Sequence, residues 1–457
     1  MPSSALHHLR QRLDSLDEPH PASRFNAALF VGFLLWLVWL PMPFGSVEGW
    51  ARLILHAGAF GLTLVLGIQT WLGQREVNLP AGAMIGLGII GLALVQRLPV
   101  PGVQTVDDFY TRQATVHLLA MVCLFVVSAN FFASEKQAVL FARVFVAWGG
   151  LFALYAIMQH FIGQGSYAAF RKLLGTPFGT FVNRNHYAGM IELLAPLAVA
   201  MAAQRRRGTE DDVRWLYVVA AVVMLLSLAL CASRGGWIAG AAGTLTAVAL
   251  AARVQRRWRR AALGSLSLIP LGVLVGVWWM GIDPLVSRLQ APGELPATAD
   301  QVARNVIWKN TLTLVRERPL TGSGLGTFQI AYTRVDTSNG VNRVEQAHND
   351  YLQLLAETGL VGFALGMAWL GWFFRRVRQG FRRRSGERRA TEWATEWTTE
   401  WTYVHLGTVS GCVAGLVHAC FDFNWQIPSN AAYFVVLAAL ATTTPAPEPL
   451  ADTPPED

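Results

Sequence analysis

LQLLAETGLVGFALGMAWLGWFF (352–374) runs directly into RRVRQGFRRRSGERR (375–389). The first part is long and apolar enough to cross a bilayer as a helix, which needs about 20 such residues. The second holds eight arginines. An apolar run that ends in a basic block marks the cytoplasmic end of a membrane span. In front of the run stands AHNDY (347–351), with His348, Asn349 and Asp350 in succession. The densest polar cluster in the chain therefore lies at the mouth of a predicted span.

The rest of the composition agrees. Of 457 residues, 53% are hydrophobic and only 14% charged, against about 25% charged in a soluble domain, so a soluble globular protein is disfavoured. The 17 tryptophans and 42 glycines suit interfacial belts and membrane helices. A net charge of +8 would suit nucleic acid, but the arginines are grouped between apolar runs, which is a topology signal. The first apolar run follows a polar start of about 25 residues and reads as a retained span, not a cleaved signal. Cys123, Cys231, Cys412 and Cys420 show no CxxC spacing and read as buried thiols.

Twelve segments read as candidate spans, near 26–44, 51–71, 81–96, 113–132, 138–161, 187–203, 215–232, 236–252, 261–281, 352–374, 403–421 and 429–444. Each must be helical, because lipid cannot satisfy open backbone groups. The expected fold is all-α: a polytopic membrane protein of about 12 transmembrane helices with one long helical periplasmic loop. With a cytoplasmic N terminus, twelve spans put RRRGTEDDVR (205–214), RVQRRWRR (253–260) and the 375–389 block on the cytoplasmic side, as the positive-inside rule asks. TEWATEWTTEW (391–401) repeats every four residues and reads either as an interfacial helix or as a slipped repeat without function. The tail after 444, rich in Pro, Thr, Glu and Asp, has the composition of a disordered segment.

The same topology gathers the other polar motifs on the outer face: TPFGTFVNRNHYAG (176–189), the turn SRGG (233–236), a long loop over 282–349, and DFNWQIPSN (422–430). The long loop contains a predicted helix, QVARNVIWKNTLTLVRERP (301–319), followed by GSGLGTF (322–328). The glycines lack GK[ST] and a Rossmann acid, so they read as a tight turn that returns the loop to the membrane. Arg184 and Arg234 stand at span ends, while Arg288, Arg304 and Arg316 belong to the long loop. Arginine beside hydrocarbon needs a partner or a polar cavity, and its planar fork suits phosphate oxygens. Snorkelling to headgroups for Arg234 and an ion pair with Glu317 for Arg316 are the competing readings. His348 is a candidate general base, although a lone histidine at a helix mouth equally fits a structural role; His186 and His418 share that ambiguity. Asn349 either fixes the chain or binds substrate, and Asp350 either orients the imidazole or caps the span. No HxxH or HExxH spacing argues for a metal.

GTFVNRNHYAG (179–189), the SRGG turn, the run from Arg304 through Trp308 and Arg316 to GSGLGTF, and HNDYLQLLAETGLVG (348–362) together resemble the O-antigen ligase / O-antigen polymerase superfamily of bacterial inner-membrane glycosyltransferases. The resemblance is strongest over about 176–375. It implies a ligase-like core domain there, including the loop 282–349. A transmembrane bundle (1–175) precedes the core; a basic cytoplasmic loop (376–402), two further spans (403–444) and the tail (445–457) follow it. It implies a metal-independent, inverting transfer without cofactor, in which an acceptor hydroxyl attacks an undecaprenyl diphosphate-linked glycan at the periplasmic face of the inner membrane. His348 matches the expected base. Arg184 and Arg234 match the diphosphate-binding positions by motif, and Arg288 and Arg304 by location. Asn183, Asn185, His186, Arg316, Asn349 and Asp350 are expected to support the site or touch substrate. The acceptor is lipid A-core for a ligase, a growing glycan for an O-antigen or exopolysaccharide polymerase, or a protein hydroxyl for an oligosaccharyltransferase. The motifs do not separate these, and ligase is the first reading. Membrane lipids are expected partners and nucleic acid is not. A transporter of polyprenyl-linked glycan is the rival class. Transporters show matched halves with polar groups near mid-membrane, whereas this chain gathers its polar groups at one face.

Overall fold

A computed structural model of the chain describes residues 21–162, 166–167, 171–172, 177–204, 211–254, 299–337, 343–390 and 400–444. Arg288, the predicted span 261–281, residues 205–210 and 255–260 of the basic blocks, most of the TEW repeat and the tail lie outside the described residues. All eleven of the other predicted apolar segments are helical. They form α1 (Pro21–Trp39), α2 (Gly49–Trp71), α3 (Ala81–Gln96), α4 (Asp108–Phe131), α5 (Glu135–Ile162), α6 (Arg184–Ala202), α7 (Asp211–Leu230), α8 (Arg234–Val254), then α10 (Asp350–Ala390), α11 (Glu400–His418) and α12 (Pro428–Thr442). The predicted loop helix is present as α9 (Ala299–Glu317). β structure among the described residues is confined to a two-residue ladder, Ser166–Tyr167 with Arg171–Lys172, and a bridge from Phe178 to Phe181.

Among the described residues, six helices are long and apolar enough to cross a membrane: α2, α4, α5, Val213–Leu230 of α7, α8, and Asp350–Phe381 of α10. Three more, in α1, α3 and α12, are apolar but shorter. Leu35, Leu53, Leu64, Leu151 and Leu216 stand exposed on the periphery, where a water-soluble fold would place polar groups and where lipid tails can receive them. The chain is an all-α polytopic membrane protein.

Helices α6 and α11 are absent from the six for a physical reason. They lie at the centre, packed on each other and on α8, so neighbouring helices shield them from lipid. They can therefore carry Pro196, Glu192, His405 and His418 inside. Association of helices in lipid depends on close packing and small residues, and the contact shows it. A Cβ on Gly407 would come within 2.6 Å of Leu197 Cα, and one on Gly411 would collide with the Leu193 carbonyl.

Helix α10 is not one rod. Gly359, at φ 60° and ψ −165°, breaks it, and the amides of Leu360 and Val361 turn to the carbonyls of Pro319 and Leu320. The predicted span 352–374 is thus a two-turn helix followed by a longer one. Contacts between loops define one end of the bundle. Thr180 donates to the Pro41 carbonyl, Arg304 to that of Phe421, and the Asp350 amide to that of Ala419. The described basic residues Arg253 and Arg375 lie on the far stretches of α8 and α10, away from that end.

Candidate active site

The polar end is built around His348. Its backbone has φ +51°, a left-handed conformation that costs a non-glycine residue about 1–2 kcal/mol. Pinned neighbours impose it. On one side Trp308 Nε1 of α9 donates to the Ala347 carbonyl at 2.9 Å, and the Ala347 amide donates to Gln353 Oε1. On the other, the Asp350 amide is tied to Ala419, and Asn349 Nδ2 donates to the Cys420 carbonyl. Asn349 also caps α10, its Oδ1 accepting from the Leu352 amide at 2.9 Å. The cap is therefore Asn349 and not Asp350. Asp350 turns away from the imidazole and accepts from the Trp425 amide.

The carboxylate that orients His348 is Asp422, 74 residues on. His348 Nδ1 lies 3.1 Å from Asp422 Oδ1. An ionised carboxylate only accepts, so Nδ1 is the donor, which in a neutral imidazole leaves Nε2 as the acceptor. Burial alone would push the Asp422 carboxyl up. The hydrogen bond from His348 and the imidazoles of His186, His348 and His418 outweigh that and hold it well below the usual carboxylate range. Asp422 is 2% exposed and His348 29%, so the carboxylate is sealed while the imidazole stays reachable. Phe423 stands between two histidines, its ring edge-on to His186 at 4.8 Å and to His348 at 4.9 Å.

The predicted arginines lie on neighbouring elements. Asn183 caps α6 through the Asn185 amide at 2.8 Å, which sets Arg184 at the first helical position. Among the described residues Arg184 has no hydrogen bond or ion pair with the protein, and its charge reaches Cys231 beside the SRGG turn. Arg234 begins α8 and is exposed. The two helix starts touch: a Cβ on Gly236 would sit 2.5 Å from Ala188 Cβ. Arg304 serves the frame, its Nη1 donating to the Phe421 carbonyl at 2.9 Å, one residue before Asp422. His186 is half-buried, its carbonyl accepting from Asn430. Arg316 is exposed and its expected partner Glu317 pairs with Arg334 instead. Helices α6, α8 and α10 all begin at this end, so their amide ends add an anion-attracting field.

Residues 219–367 match the O-Antigen ligase (Wzy_C) family model. The chain contains an O-antigen ligase superfamily domain. No curated protein matches the chain. The ligase domain supplies Arg234, Arg304 and the 347–350 cluster. Arg184, His186, Asp422 and Phe423 come from outside it, so the polar end is completed by flanking helices. Among the described residues no three His, Cys, Asp or Glu side chains converge as a metal site.

The glycine motif of the ligase domain is occupied by an acceptor from the chain itself. The amides of Gly326 and Phe328 donate to the Glu357 side chain at 2.7 and 3.2 Å, so the loop's donors are spent on a carboxyl group of the chain and not on a phosphate. Sequence reasoning missed Asp422, Glu357 and Glu192. Each had a legible signal, a lone acid inside or beside an apolar run. What the sequence lacked was the partner.

Tyr351 and Trp425, whose rings meet at 5.4 Å, turn toward a cavity of about 560 Å³ between α3, α4, α10 and α12. Its lining passes from Arg52, Tyr110 and Gln426 to Phe125, Trp369 and Phe434. Along α4, Tyr110 to Phe125 spans roughly 22 Å at 1.5 Å per residue.

Proposed function

We propose that the protein transfers a glycan from an undecaprenyl diphosphate-linked donor to an acceptor hydroxyl, acting as an O-antigen ligase on lipid A-core at the outer face of the bacterial inner membrane. The observation that carries this reading is the pair of His348 and Asp422: a half-buried but reachable imidazole, oriented by a buried carboxylate, next to two helix starts that each present an arginine. His348 Nε2 takes the proton of the acceptor hydroxyl as its oxygen attacks the anomeric carbon. The new C–O bond forms on the face opposite the departing group. The bond from that carbon to the phosphate oxygen breaks, and undecaprenyl diphosphate leaves with the electron pair. Arg184 and Arg234 hold the diphosphate and stabilise the charge it gains, so the step needs no metal. Arg304 acts by bracing Phe421 and Asp422.

The reading places the polar end on the periplasmic side and the basic blocks in the cytoplasm, with about twelve spans in all. The cavity beside Tyr351 and Trp425 favours an acceptor that carries a lipid tail, since its apolar lower part runs to bilayer depth. That supports lipid A-core, or a second lipid-linked glycan as in a polymerase, over a protein hydroxyl. The deciding assay uses purified protein, undecaprenyl diphosphate-linked glycan and both acceptors. Glycan on lipid A-core names a ligase and a lengthened glycan names a polymerase; a wild-type protein that consumes no donor with either acceptor refutes the reading. Donor flipping in proteoliposomes without acceptor would mark a transporter instead.

A further inference from the structure

Beneath the polar end lies a second titratable pair. Glu192 of α6 and His418, the last residue of α11, meet at 2.7 Å (Oε2 to Nδ1), and both side chains are 0% exposed. Among the described residues, Glu192 Oε1 and His418 Nε2 have no hydrogen-bond partner. Burying two such groups is expensive, and an apolar pair of similar volume would serve the fold as well or better.

Its position shows what it holds. A Cβ on Gly235 would lie 3.2 Å from His418 Nε2 and 3.5 Å from Phe421 Cβ, so the imidazole packs directly under the turn that presents Arg234. The His418 carbonyl accepts from the amides of Phe421 and Asp422, so the same residue starts the loop that presents Asp422. Its neighbour Ala419 accepts from the Asp350 amide. One buried residue thus touches the arginine turn and the orienting carboxylate's loop, and its neighbour holds the start of α10. Glu192 fixes its ring from α6, the helix whose first residue is Arg184.

We infer that Glu192 and His418 are positioning residues, a buried clamp that sets the distance between the Arg234 turn and the loop carrying Asp422. The inference rests on the transfer reading for its kinetic consequence but not for its structural one. A displacement of about 1 Å at a reacting centre can cost about 10²-fold in rate. Loss of the clamp moves the binding arginine and the oriented base together, so kcat and donor KM should change together.

The test compares the full-length wild type with Glu192→Gln, Glu192→Leu and the double variant Glu192→Leu/His418→Leu, with two readouts. The first is transfer kinetics from undecaprenyl diphosphate-linked glycan. The second is hydrogen exchange at 231–236 and 419–425, which needs no activity. We expect Glu192→Leu to lower kcat by roughly 10- to 100-fold, to raise donor KM and to speed exchange in both segments. Glu192→Gln, which can still accept from Nδ1, should recover most of the loss. The double variant should fold and remain slow. A folded double variant with wild-type kcat and KM would overturn the inference. So would a double variant that does not fold, or exchange raised throughout the bundle, since either assigns the pair to the fold alone. If the wild type transfers nothing, the transfer reading fails while the exchange pattern still decides whether the clamp exists.

Discussion

His348 stands in a left-handed conformation because both of its neighbours are tied down, and that expense at one residue aims a single nitrogen. Replacing it with alanine should lower transfer by about 10²–10⁴-fold, the usual contribution of a general base, while expression and donor binding persist. Kinetics and binding measured on the same preparation check this. Loss of folded protein would make His348 structural, and full activity would remove it from the mechanism. Asp422→Asn should lower kcat by at least about tenfold, since an amide can present the wrong tautomer to the ring. Its pH dependence has a definite sign. A carboxyl held below its unfolded value of about 3.9 contributes stability above that value, lost only as pH falls through the depressed one. Asp422 is therefore ionised across the working range. Because the coupling between Asp422 and His348 is mutual, the variant should lower the pH–rate profile and carry its acid limb to lower pH; an unchanged profile would contradict the assignment. Arg184→Lys and Arg234→Lys each keep a charge and lose the fork. Transfer rates per folded molecule should fall in both, and near-wild-type rates in both would remove the diphosphate role.

At the scale of elements, the informative piece is the loop 322–328, which docks on α10 through Glu357 and on α3 through Gln96. Gln96 donates to the Thr321 and Glu357 carbonyls and accepts from the Leu325 amide. Gly326 sits at φ +77°, and a Cβ there would lie 2.5 Å from that of Ala114. Gly326→Ala should therefore destabilise by about 1–3 kcal/mol from backbone strain and overpacking. Glu357→Gln should lose one of the two amide hydrogen bonds, since its NH2 group cannot accept, and cost about 1–3 kcal/mol. Thermal unfolding in detergent and proteolysis within 318–330 would show both, and unchanged melting in both variants would disprove the docking role. The sequence foretold a turn returning the long loop to the membrane, since closely spaced glycines permit little else. It did not foretell that a buried acid within the next span would hold that turn, because the two are brought together only by the break at Gly359.

Across the whole molecule, hydrophobic periodicity and charge placement are local properties, and they predicted the eleven described span segments and the loop helix, but not the short helical turns at Phe44–Ser46, Phe328–Ala331, Tyr332–Arg334 and Asn424–Gln426. The polar residues at one end were equally legible as isolated motifs. Their pairing was not. Asp350 was the nearest carboxylate to His348 in the chain, but it opens α10 and accepts from the Trp425 amide, while the ring of His348, placed before the helix, meets Asp422. Topology is the prediction proper to this scale. Residues 282–349 and the Arg234 turn should be labelled by an impermeant thiol reagent in intact cells after single-cysteine substitution, while 253–260 and 375–389 should be protected. Labelling at 375–389 would separate the proposed site from its substrate.

The close fit of α11 between α6 and α8 has a consequence in time. A ribosome completes Arg184, Arg234 and His348 while Glu400–His418 and Asp422 are still unmade. Until α11 enters the gap and delivers its loop, the imidazole has no carboxylate to orient it. Under the proposed transfer reading, a nascent chain would hold its arginines and imidazole in the membrane before it could use a donor, and completion of the polypeptide would be the step that arms it.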